Sequence, residues 1–329
     1  MPEITALRAR RGTGPAAWLL FGLLIAGVLA PVVANDRPIL ARVGGRIVTP
    51  ALADLPLLGT LFASAETRSI DWGSAGPGVR ILLAAPVPYS YRGIRLDEAL
   101  RPPGRRHLLG TDALGRDLLA RLIHGTRPSL AVGFGGTALA LLLGGLLGGA
   151  AGLRGGIADL AVMRCADVVA CFPPFILALA FVAAAGRGGL GPIVCAVALS
   201  RWAATARYIR GEILRHRGSD LWAAARATGG SLPGLAFRHL LPLLAPPLLV
   251  MAAFGVAYAI VLESGLSFVG LGVEPPAPSW GTILAEARGT LDAAWWPVFF
   301  PSLALLVVLG ALCLAAERAC GEPPGGLLA

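Results

Sequence analysis

The sequence predicts an all-α integral membrane protein with six membrane-spanning helices, and three observations support this fold class. First, 56% of the 329 residues are hydrophobic and the mean hydropathy is +0.72. Second, only 14% of the residues are charged, whereas soluble domains carry about 25%, so a water-facing surface cannot be built. Third, six apolar stretches approach the roughly 20 residues that a helix needs to cross a hydrocarbon core of about 30 Å.

The first four stretches are residues 16–34, 129–153, 240–262 and 293–316, and none of them contains a charged residue. The fifth, residues 168–186, contains Pro173-Pro174. Because proline removes a helix hydrogen bond, a kinked or broken helix is predicted there, beginning near Ile157. The sixth, residues 190–206, is interrupted by Arg201, whose long side chain we expect to reach the inner headgroups.

The arginines of the short loops orient these helices, because cytoplasmic loops carry an excess of basic residues. Three arginines precede the first stretch and place the N-terminus in the cytoplasm. The segment 207–238 then also lies in the cytoplasm, with six arginines against two acids. The arginine-rich segment 35–127 lies outside, where loops longer than about 60 residues largely escape the rule. A cleaved signal peptide over 16–34 is the alternative, but cleavage would invert every later loop.

The residue types exclude several functions. The chain contains no lysine, which a P-loop and a Schiff-base enzyme both require, so any ATP hydrolysis belongs to another chain. With four histidines and no H-E-x-x-H stretch, a zinc hydrolase is disfavoured. The five cysteines lack C-x-x-C spacing and predict no metal or disulfide framework. The net charge is +9, but no stretch combines aromatic and basic residues into a nucleic-acid-binding surface. Membrane topology therefore explains the excess of arginine better than nucleic-acid binding does.

Residues 219–242 predict a helix–turn–helix hairpin at the cytoplasmic surface. Ser219 or Asp220 can cap a first helix, and Gly229-Gly230 ends it because glycine tolerates the left-handed conformation at a helix end. A second helix follows, and Pro242 marks the turn into the next span. The alanines of the first helix suit a groove in another protein, although alanine is also simply a good helix former. In a chain without its own energy source, this hairpin indicates a mechanical coupling element.

The hairpin resembles the EAA loop of ABC importer permeases, in which a helix, a glycine and a second helix dock into the nucleotide-binding subunit. Six residues carry the resemblance and are implied to form the ATPase-coupling loop: Ala224, Ala225 and Arg226 for its Ala-Ala-Arg, Gly229 for its glycine, and Leu241 and Pro242 for its closing Leu-Pro. The family's glutamate is absent, since Ala223 stands in its place.

Two further stretches resemble one subunit type of this family, the C-type permease of the dipeptide, oligopeptide and nickel importers. Residues 109–127, LGTDALGRDLLARLIHGTR, are similar to its segment before the second span. Residues 263–287, ESGLSFVGLGVEPPAPSWGTILAEA, are similar to its loop between the fifth and sixth spans. The resemblance covers most of residues 108–300. The departures are an arginine- and proline-rich stretch at 37–103 and a C-terminus, 317–329, without the usual Gly-Asp ending.

The resemblance implies the type I ABC importer (MetI-like) permease fold in a multi-pass protein of the bacterial inner membrane. The implied organisation is a cytoplasmic tail (1–15), a first transmembrane helix (16–34), an extracytoplasmic segment (35–127), a permease core (128–316) containing the coupling loop (207–242), and a cytoplasmic C-terminal tail (317–329). The implied partners are a homologous second permease, two ABC ATPase subunits, an extracytoplasmic solute-binding protein and the lipid bilayer, with no nucleic acid. No cofactor is expected in this chain, because ATP and Mg²⁺ bind the ATPase subunits.

Glu263, Ser264 and Trp280 are candidates for an outer pathway or gate. Glu263 either lines the outer mouth and attracts an ammonium group, as ionisable residues near membrane depth suggest, or stands in water at a helix end. Three tryptophans flank the last span, namely Trp280, Trp295 and Trp296. This position predicts that they anchor the span at the membrane interface.

Two other patterns predict local packing. Within residues 110–117, Thr111 or Asp112 predicts the cap of a helix running through Leu122, with Arg116 and Asp117 forming a local pair. Glycines in the second span allow close helix approach in lipid, either within the bundle or against another subunit: Gly144, Gly145, Gly148 and Gly149.

The predicted function is that of a permease subunit of an ATP-driven importer, in which partner ATPases push the hairpin and so tilt the fourth and fifth spans. No residue of the chain is expected to do covalent chemistry. An ion-gradient-driven secondary transporter is the alternative, but it needs ion sites near the midplane, and the long spans are free of charge. A membrane enzyme is disfavoured by the absence of lysine and the few histidines. Dipeptides, longer peptides, nickel chelates and other small solutes all stay open as substrates.

Overall fold

The computed structural model describes residues 14–55, 59, 70, 72, 79–186, 188–217, 234 and 241–320. The chain forms two compact units. The helical unit consists of Met1–Ala17, Leu130–Leu266 and Val308–Ala329, and the mixed unit consists of Trp18–Ser129 and Ser267–Val307. Three long helices continue from one unit into the other, so each unit contains segments that are distant in sequence.

The described residues are mostly helical, as predicted. The α-helices are α1 (Pro15–Val28), α2 (Ala30–Val33), α3 (Leu118–Arg154), α4 (Gly156–Ala170), α5 (Pro174–Ala184), α6 (Leu190–Arg217), α7 (Leu241–Phe268), α8 (Trp280–Ala287) and α9 (Trp296–Cys320). Short 3₁₀ helices lie at Pro50–Asp54, Leu96–Glu98 and Arg288–Thr290.

Three of these helices, α3, α7 and α9, are long and apolar enough to cross a membrane. The pair α4 and α5 passes the same criterion together but is bent by 90° between the two helices, which confirms the break predicted at Pro173-Pro174. Pro173 is extended, with ψ of 127°, and Pro174 begins α5. Helix α1 has only 14 residues, and α6 carries basic residues in its last turn. The count of six spanning helices therefore stays a prediction.

Two helix boundaries differ from the apolar stretches. The first stretch is divided after Val28, and Pro31 lies in the first turn of the short α2, where its missing N–H cannot continue the hydrogen bonds of α1. Helix α3 begins at Leu118, well before the charge-free stretch, and the Asp117 carboxylate accepts the N–H of Ala120 at 2.8 Å. The predicted cap at Thr111 or Asp112 was wrong, because Thr111 pairs with Asp117 across a tight turn.

The mixed unit contains a small antiparallel sheet that an all-α prediction did not include. Its strands are β1 (Leu40–Val43), β2 (Arg46–Val48) and β3 (Val79–Leu83), in the order β2-β1-β3. Gly44 and Gly45 join β1 to β2 with φ of 55° and 85°. Two consecutive residues at positive φ form the tight turn that matches strand twist, so the Gly-Gly pair was a readable hairpin signal.

Candidate functional site

The predicted coupling loop joins α6, which ends at Arg217, to α7, which begins at Leu241. Ala224, Ala225, Arg226 and Gly229 lie outside the described residues. Leu241 and Pro242 are the first two residues of α7, and both side chains are exposed. The described part of the site is therefore the pair of helix ends that carry the loop.

These helix ends are packed against α3 by apolar side chains. Ile209 and Ile213 of α6 form a buried cluster with Leu244 of α7, and Leu153 of α3 packs against it. Close by, the Arg217 guanidinium donates a 2.8 Å hydrogen bond to the carbonyl of Gly152. It thereby satisfies one of the carbonyls that the last turn of α3 leaves open. The ends of α3, α6 and α7 thus form one packed group beside the loop.

Helix α6 is also tied to α4. The Arg210 guanidinium forms a two-pronged hydrogen bond with the Asp159 carboxylate, one contact being 2.6 Å, and such paired geometry is the stronger form of an arginine–carboxylate bond. Arg207 donates to the Asp167 carboxylate at 3.0 Å and to the Ala166 carbonyl at 2.8 Å. The same two helices also share a buried cluster formed by Ala166, Trp202, Ala203 and Ala206.

Glycines of α3 allow the α6 backbone to approach closely. A β-carbon at Gly144 would lie 2.5 Å from Cβ of Thr205, and one at Gly148 would collide with the backbone of Ala206. Nothing lies within 4 Å of the corresponding position at Gly149. The predicted packing role within the bundle is confirmed for Gly144 and Gly148.

A cation of α6 contacts α7 within the helical unit. The guanidinium of Arg201 lies 4.7 Å from the centroid of the Tyr258 ring, a distance at which the ring face attracts a cation. Arg201 was predicted to reach the inner lipid headgroups, and its contact with Tyr258 was not predicted.

Glu263 and Ser264 lie inside the helical unit near the end of α7. Glu263 is 0% exposed, so the interpretation that it stands in water at a helix end was wrong. The Ser264 hydroxyl is buried, and no described residue forms a hydrogen bond with it. Helix α7 also packs closely on α5, because a β-carbon at Gly265 would lie 2.9 Å from the Phe175 ring.

Trp280, the third candidate for the outer pathway, begins α8 in the mixed unit. Ser279 caps this helix, because its hydroxyl accepts the N–H of Thr282 and the Thr282 hydroxyl accepts the N–H of Ser279. The Trp280 side chain is 1% exposed, and its indole N–H donates to the carbonyl of Leu122 at 3.2 Å. The anchor prediction was wrong for this residue, because its ring is packed within the unit.

Of the other two tryptophans, one is buried and one is exposed. Trp296 is buried, and its indole N–H donates to the Thr111 carbonyl at 2.9 Å. Trp295 is 56% exposed and fits an interfacial position. Both buried tryptophans have a carbonyl partner, since a packed indole N–H needs an acceptor.

A group of four charges joins the segment before α3 to α8; its Arg121 and Asp112 are buried, and its Glu286 is 40% exposed. The guanidinium of Arg121 is 2.5 Å from the Asp112 carboxylate and 2.6 Å from the Glu286 carboxylate. Arg116 contacts the same two acids. The predicted local pair of Arg116 with Asp117 was wrong, because each has another partner.

Asp117 belongs to a second buried group with His107 and Glu98. The His107 ring places Nδ1 2.8 Å from the Asp117 carboxylate and Nε2 3.2 Å from the Glu98 carboxylate. Burial raises the pKa of Glu98, but the hydrogen bond with His107 and the charge of Arg106 outweigh burial and lower that pKa below its usual value. Among the described residues, no set of three His, Cys, Asp or Glu side chains is placed to hold a metal ion.

Comparison with known proteins identifies the fold and the family. Residues 140–319 match the family model described as "Binding-protein-dependent transport system inner membrane component". The chain belongs to this family. It is a multi-pass protein of the bacterial inner membrane and an ABC importer permease of the dipeptide, oligopeptide and nickel type.

Curated relatives support the same family. The permease is 39% identical over 237 residues to the di/tripeptide transport system permease protein DppC of Pseudomonas aeruginosa (strain UCBPP-PA14), covering 70% of this chain and 78% of that protein. It is 37% identical over 231 residues to the nickel transport system permease protein NikC of Escherichia coli (strain K12), covering 70% and 83%. It is 38% identical over 223 residues to the glutathione transport system permease protein GsiD of Pectobacterium atrosepticum, covering 68% and 73%.

A solved structure supports the fold. The permease is similar to a chain of the inward-facing MetNI methionine ABC transporter, with a TM-score of 0.52 and 19% identity over 62% of this chain and 96% of that chain. This similarity shows the type I ABC importer permease fold.

The sequence pattern of the permease did not predict its buried charges. Arg121 and Glu286 lie 165 positions apart, so no local spacing brings them together. The only signal in the sequence was compositional: charged residues lie inside the two segments 109–127 and 263–287.

Proposed function

We propose that the chain is the transmembrane permease subunit of an ATP-driven, binding-protein-dependent importer for peptides or related small solutes. The observation that carries this proposal is the similarity to permeases whose names state di/tripeptide, nickel and glutathione transport. The proposed partners are a homologous second permease, two ABC ATPase subunits and an extracytoplasmic solute-binding protein. ATP and Mg²⁺ bind the ATPase subunits, and the absence of lysine from this chain agrees with that division.

In the proposed mechanism, the ATPases act on the loop between α6 and α7. Ala224, Ala225, Arg226 and Gly229 dock into an ATPase subunit, and Leu241 and Pro242 pass the movement to α7. A nucleotide can shift the permease between two states only through contacts that differ between those states. The loop supplies such contacts, and the flanking helices α6 and α7 provide the path inward.

The packing around the loop supports this path. Ile209, Ile213 and Leu244 join α6 to α7 immediately beside the loop, and Arg210 joins α6 to α4. Protein interiors are close-packed and transmit strain rather than absorbing it. A displacement of the loop therefore moves these helices together, and the bundle alternates between inward-open and outward-open states.

The outer pathway residues are proposed on different grounds. Glu263 places a buried carboxylate in the helical unit. The neighbouring Ser264 hydroxyl is buried without a hydrogen-bond partner among the described residues, which suits a polar solute. The Trp280 ring is packed within its unit. We therefore propose that Trp280 acts on the gate indirectly, by fixing the position of α8.

The experiment is peptide uptake by proteoliposomes that contain this chain with its second permease and both ATPases. We expect uptake of di- or tripeptide to require ATP and the binding protein, and to stop when the ATPase is inactivated. Uptake that survives ATPase inactivation but is lost when ion gradients are collapsed would contradict the proposal in favour of a secondary transporter.

A further inference from the structure

A polar cavity of about 530 Å³ opens in the mixed unit, within the range of about 300–1,000 Å³ typical of small-molecule sites. Its walls come from the end of α2, the 3₁₀ helix Pro50–Asp54, the loop 90–93 and the first turns of α3. Among the described residues, neither Leu241 and Pro242 nor the outer pathway residues line it. The charged and ionisable residues that line it are Asp36, Arg37, Asp54, Arg92, His124 and Arg127.

The cavity walls are fixed by buried hydrogen bonds. The Asn35 side chain is buried and donates to the Asp54 carboxylate at 3.0 Å. His124 is also buried, with Nε2 2.7 Å from the carbonyl of Ala34, and its ring lies 4.3 Å from the Tyr91 ring. These contacts join α2, α3 and the loop 90–93, so the cavity is a built feature of the unit.

The charges of the cavity do not cancel. Arg37 and Asp54 form an ion pair at 3.2 Å and neutralise each other. Arg92 and Arg127 have no acidic partner among the residues that the structure describes, and Arg92 spends one N–H on the Tyr91 hydroxyl at 2.8 Å. With Asp36 exposed at the rim, the unpaired groups sum to about one positive charge. This balance favours a ligand with one negative charge.

The cavity lies beside the end of an apolar helix. A β-carbon at Gly27, in the last turn of α1, would lie 3.4 Å from Thr126 and 3.6 Å from Cγ of Arg127. Helix α1 exposes apolar side chains, including Phe21 and Val28. The charge-free stretch of α3 begins at residue 129, directly after Arg127. Arginines at such boundaries lie at the level of the lipid headgroups.

We propose that this cavity binds the phosphodiester headgroup of a membrane phospholipid. Arg92 and Arg127 hold the phosphate, because the guanidinium fork matches phosphate oxygens, and Asp36 accepts from an ammonium or hydroxyl of the headgroup. The acyl chains run along the exposed apolar face of α1. Inorganic phosphate shares this chemistry, but the place of Arg127 at the end of an apolar helix favours the lipid. The site does not depend on the transport function proposed above.

The first test is retention of lipid by the purified complex. The complex is extracted from membranes of phosphatidylethanolamine and phosphatidylglycerol, and bound phospholipid is counted by native mass spectrometry. The variants are Arg92→Gln and the double variant Arg92→Gln/Arg127→Gln, with Arg80→Gln as the matched control. Arg80 is an exposed arginine of β3 in the same unit and does not line the cavity.

We expect wild type and Arg80→Gln to retain one phospholipid. In both variants that carry Arg92→Gln, we expect the phospholipid occupancy of the site to be about tenfold or more lower than in wild type. Arg92 is exposed, so Arg92→Gln tests the site even where the double variant fails to fold. Equal retention in wild type and Arg92→Gln would overturn the proposal. An equal loss in Arg80→Gln would also overturn it, because the effect would then be one of general charge.

The second test separates a lipid from a free anion. The lipid-depleted wild-type complex is titrated with short-chain phosphatidylglycerol and, separately, with inorganic phosphate by calorimetry. We expect the lipid to bind and inorganic phosphate to compete only weakly. Phosphate that binds as tightly as the lipid would overturn the assignment to a phospholipid, as would a di- or tripeptide that displaces the lipid from both the wild type and Arg80→Gln.

Discussion

The helical unit and the mixed unit are held together by different interactions. In the helical unit, Gly144 and Gly148 bring the α3 backbone against α6, and small side chains such as Ala203 and Ala206 fill the contact with α4. In the mixed unit, ion pairs join segments distant in sequence, with the buried Arg121 of α3 between Asp112 and Glu286 of α8.

The difference follows from the surroundings of each unit. Helices in lipid gain little from hiding apolar surface, so close backbone packing stabilises their contacts. The mixed unit has long connections whose polar groups must find partners, and its charges are buried in pairs because an unpaired buried charge is costly. Each unit should therefore be sensitive to a different kind of substitution.

The largest expected effect is in the mixed unit. Arg121→Gln removes the buried cation of this group and leaves the buried Asp112 carboxylate with Arg116 alone, so it should destabilise the chain by about 3 kcal/mol, the low end of the cost of breaking a buried pair. The measurement is chemical denaturation in detergent micelles. The control is Arg164→Gln, since Arg164 is 75% exposed and pairs with Asp167 at 3.4 Å, where the expected change is about 0–1 kcal/mol. Equal effects would show that burial of the pair does not matter.

The next effect is in the helical unit. Gly148→Val places a branched side chain against the Ala206 backbone and should cost about 1–3 kcal/mol in the same assay, as overpacking does. Gly149→Val, one residue along the same helix, meets no atom within 4 Å and should cost much less. If the two variants unfold alike, backbone approach is not what holds α3 to α6.

The smallest effect is a pH dependence of the mixed unit. The pKa of Glu98 is below its ordinary value of 4.5, so the folded state binds fewer protons than the unfolded state near that pH. The stabilisation is fully present above about pH 4.5 and is lost as the pH falls through the folded-state pKa. We expect unfolding midpoints to fall in acid for wild type and to fall less steeply for Glu98→Gln. Parallel acid profiles would exclude Glu98 as the group responsible.

The sequence predicted the helical unit better than the mixed unit. Apolar stretches of the right length located α3, α7 and α9, and Pro173-Pro174 located the break between α4 and α5. These features depend on local composition and on the missing proline N–H, which any single sequence displays. The end of α1 was missed because the whole stretch is apolar and only Pro31 signals the division.

The mixed unit depends on contacts between distant residues. Glu286 meets Arg121 across 165 positions, and Trp296 meets Thr111 across 185, so no spacing rule reveals these pairs. Local rules suggested nearer partners, such as Arg116 with Asp117, which the fold separates into two networks. The interpretation that Glu263 stands in water was wrong for the same reason, since its burial is set by the surrounding helices rather than by its neighbours in sequence.

The most direct test of coupling through the loop between α6 and α7 is the ratio of ATP hydrolysed to peptide imported by the reconstituted complex. Gly229→Val places a β-branched residue at the turn of the predicted hairpin, where glycine tolerates a left-handed conformation. Gly211→Val on α6, with no atom within 4 Å, is the control. We expect Gly229→Val to continue to hydrolyse ATP while uptake falls, and the control to keep the wild-type ratio. Full uptake by Gly229→Val at the wild-type ratio would contradict the coupling role of the loop.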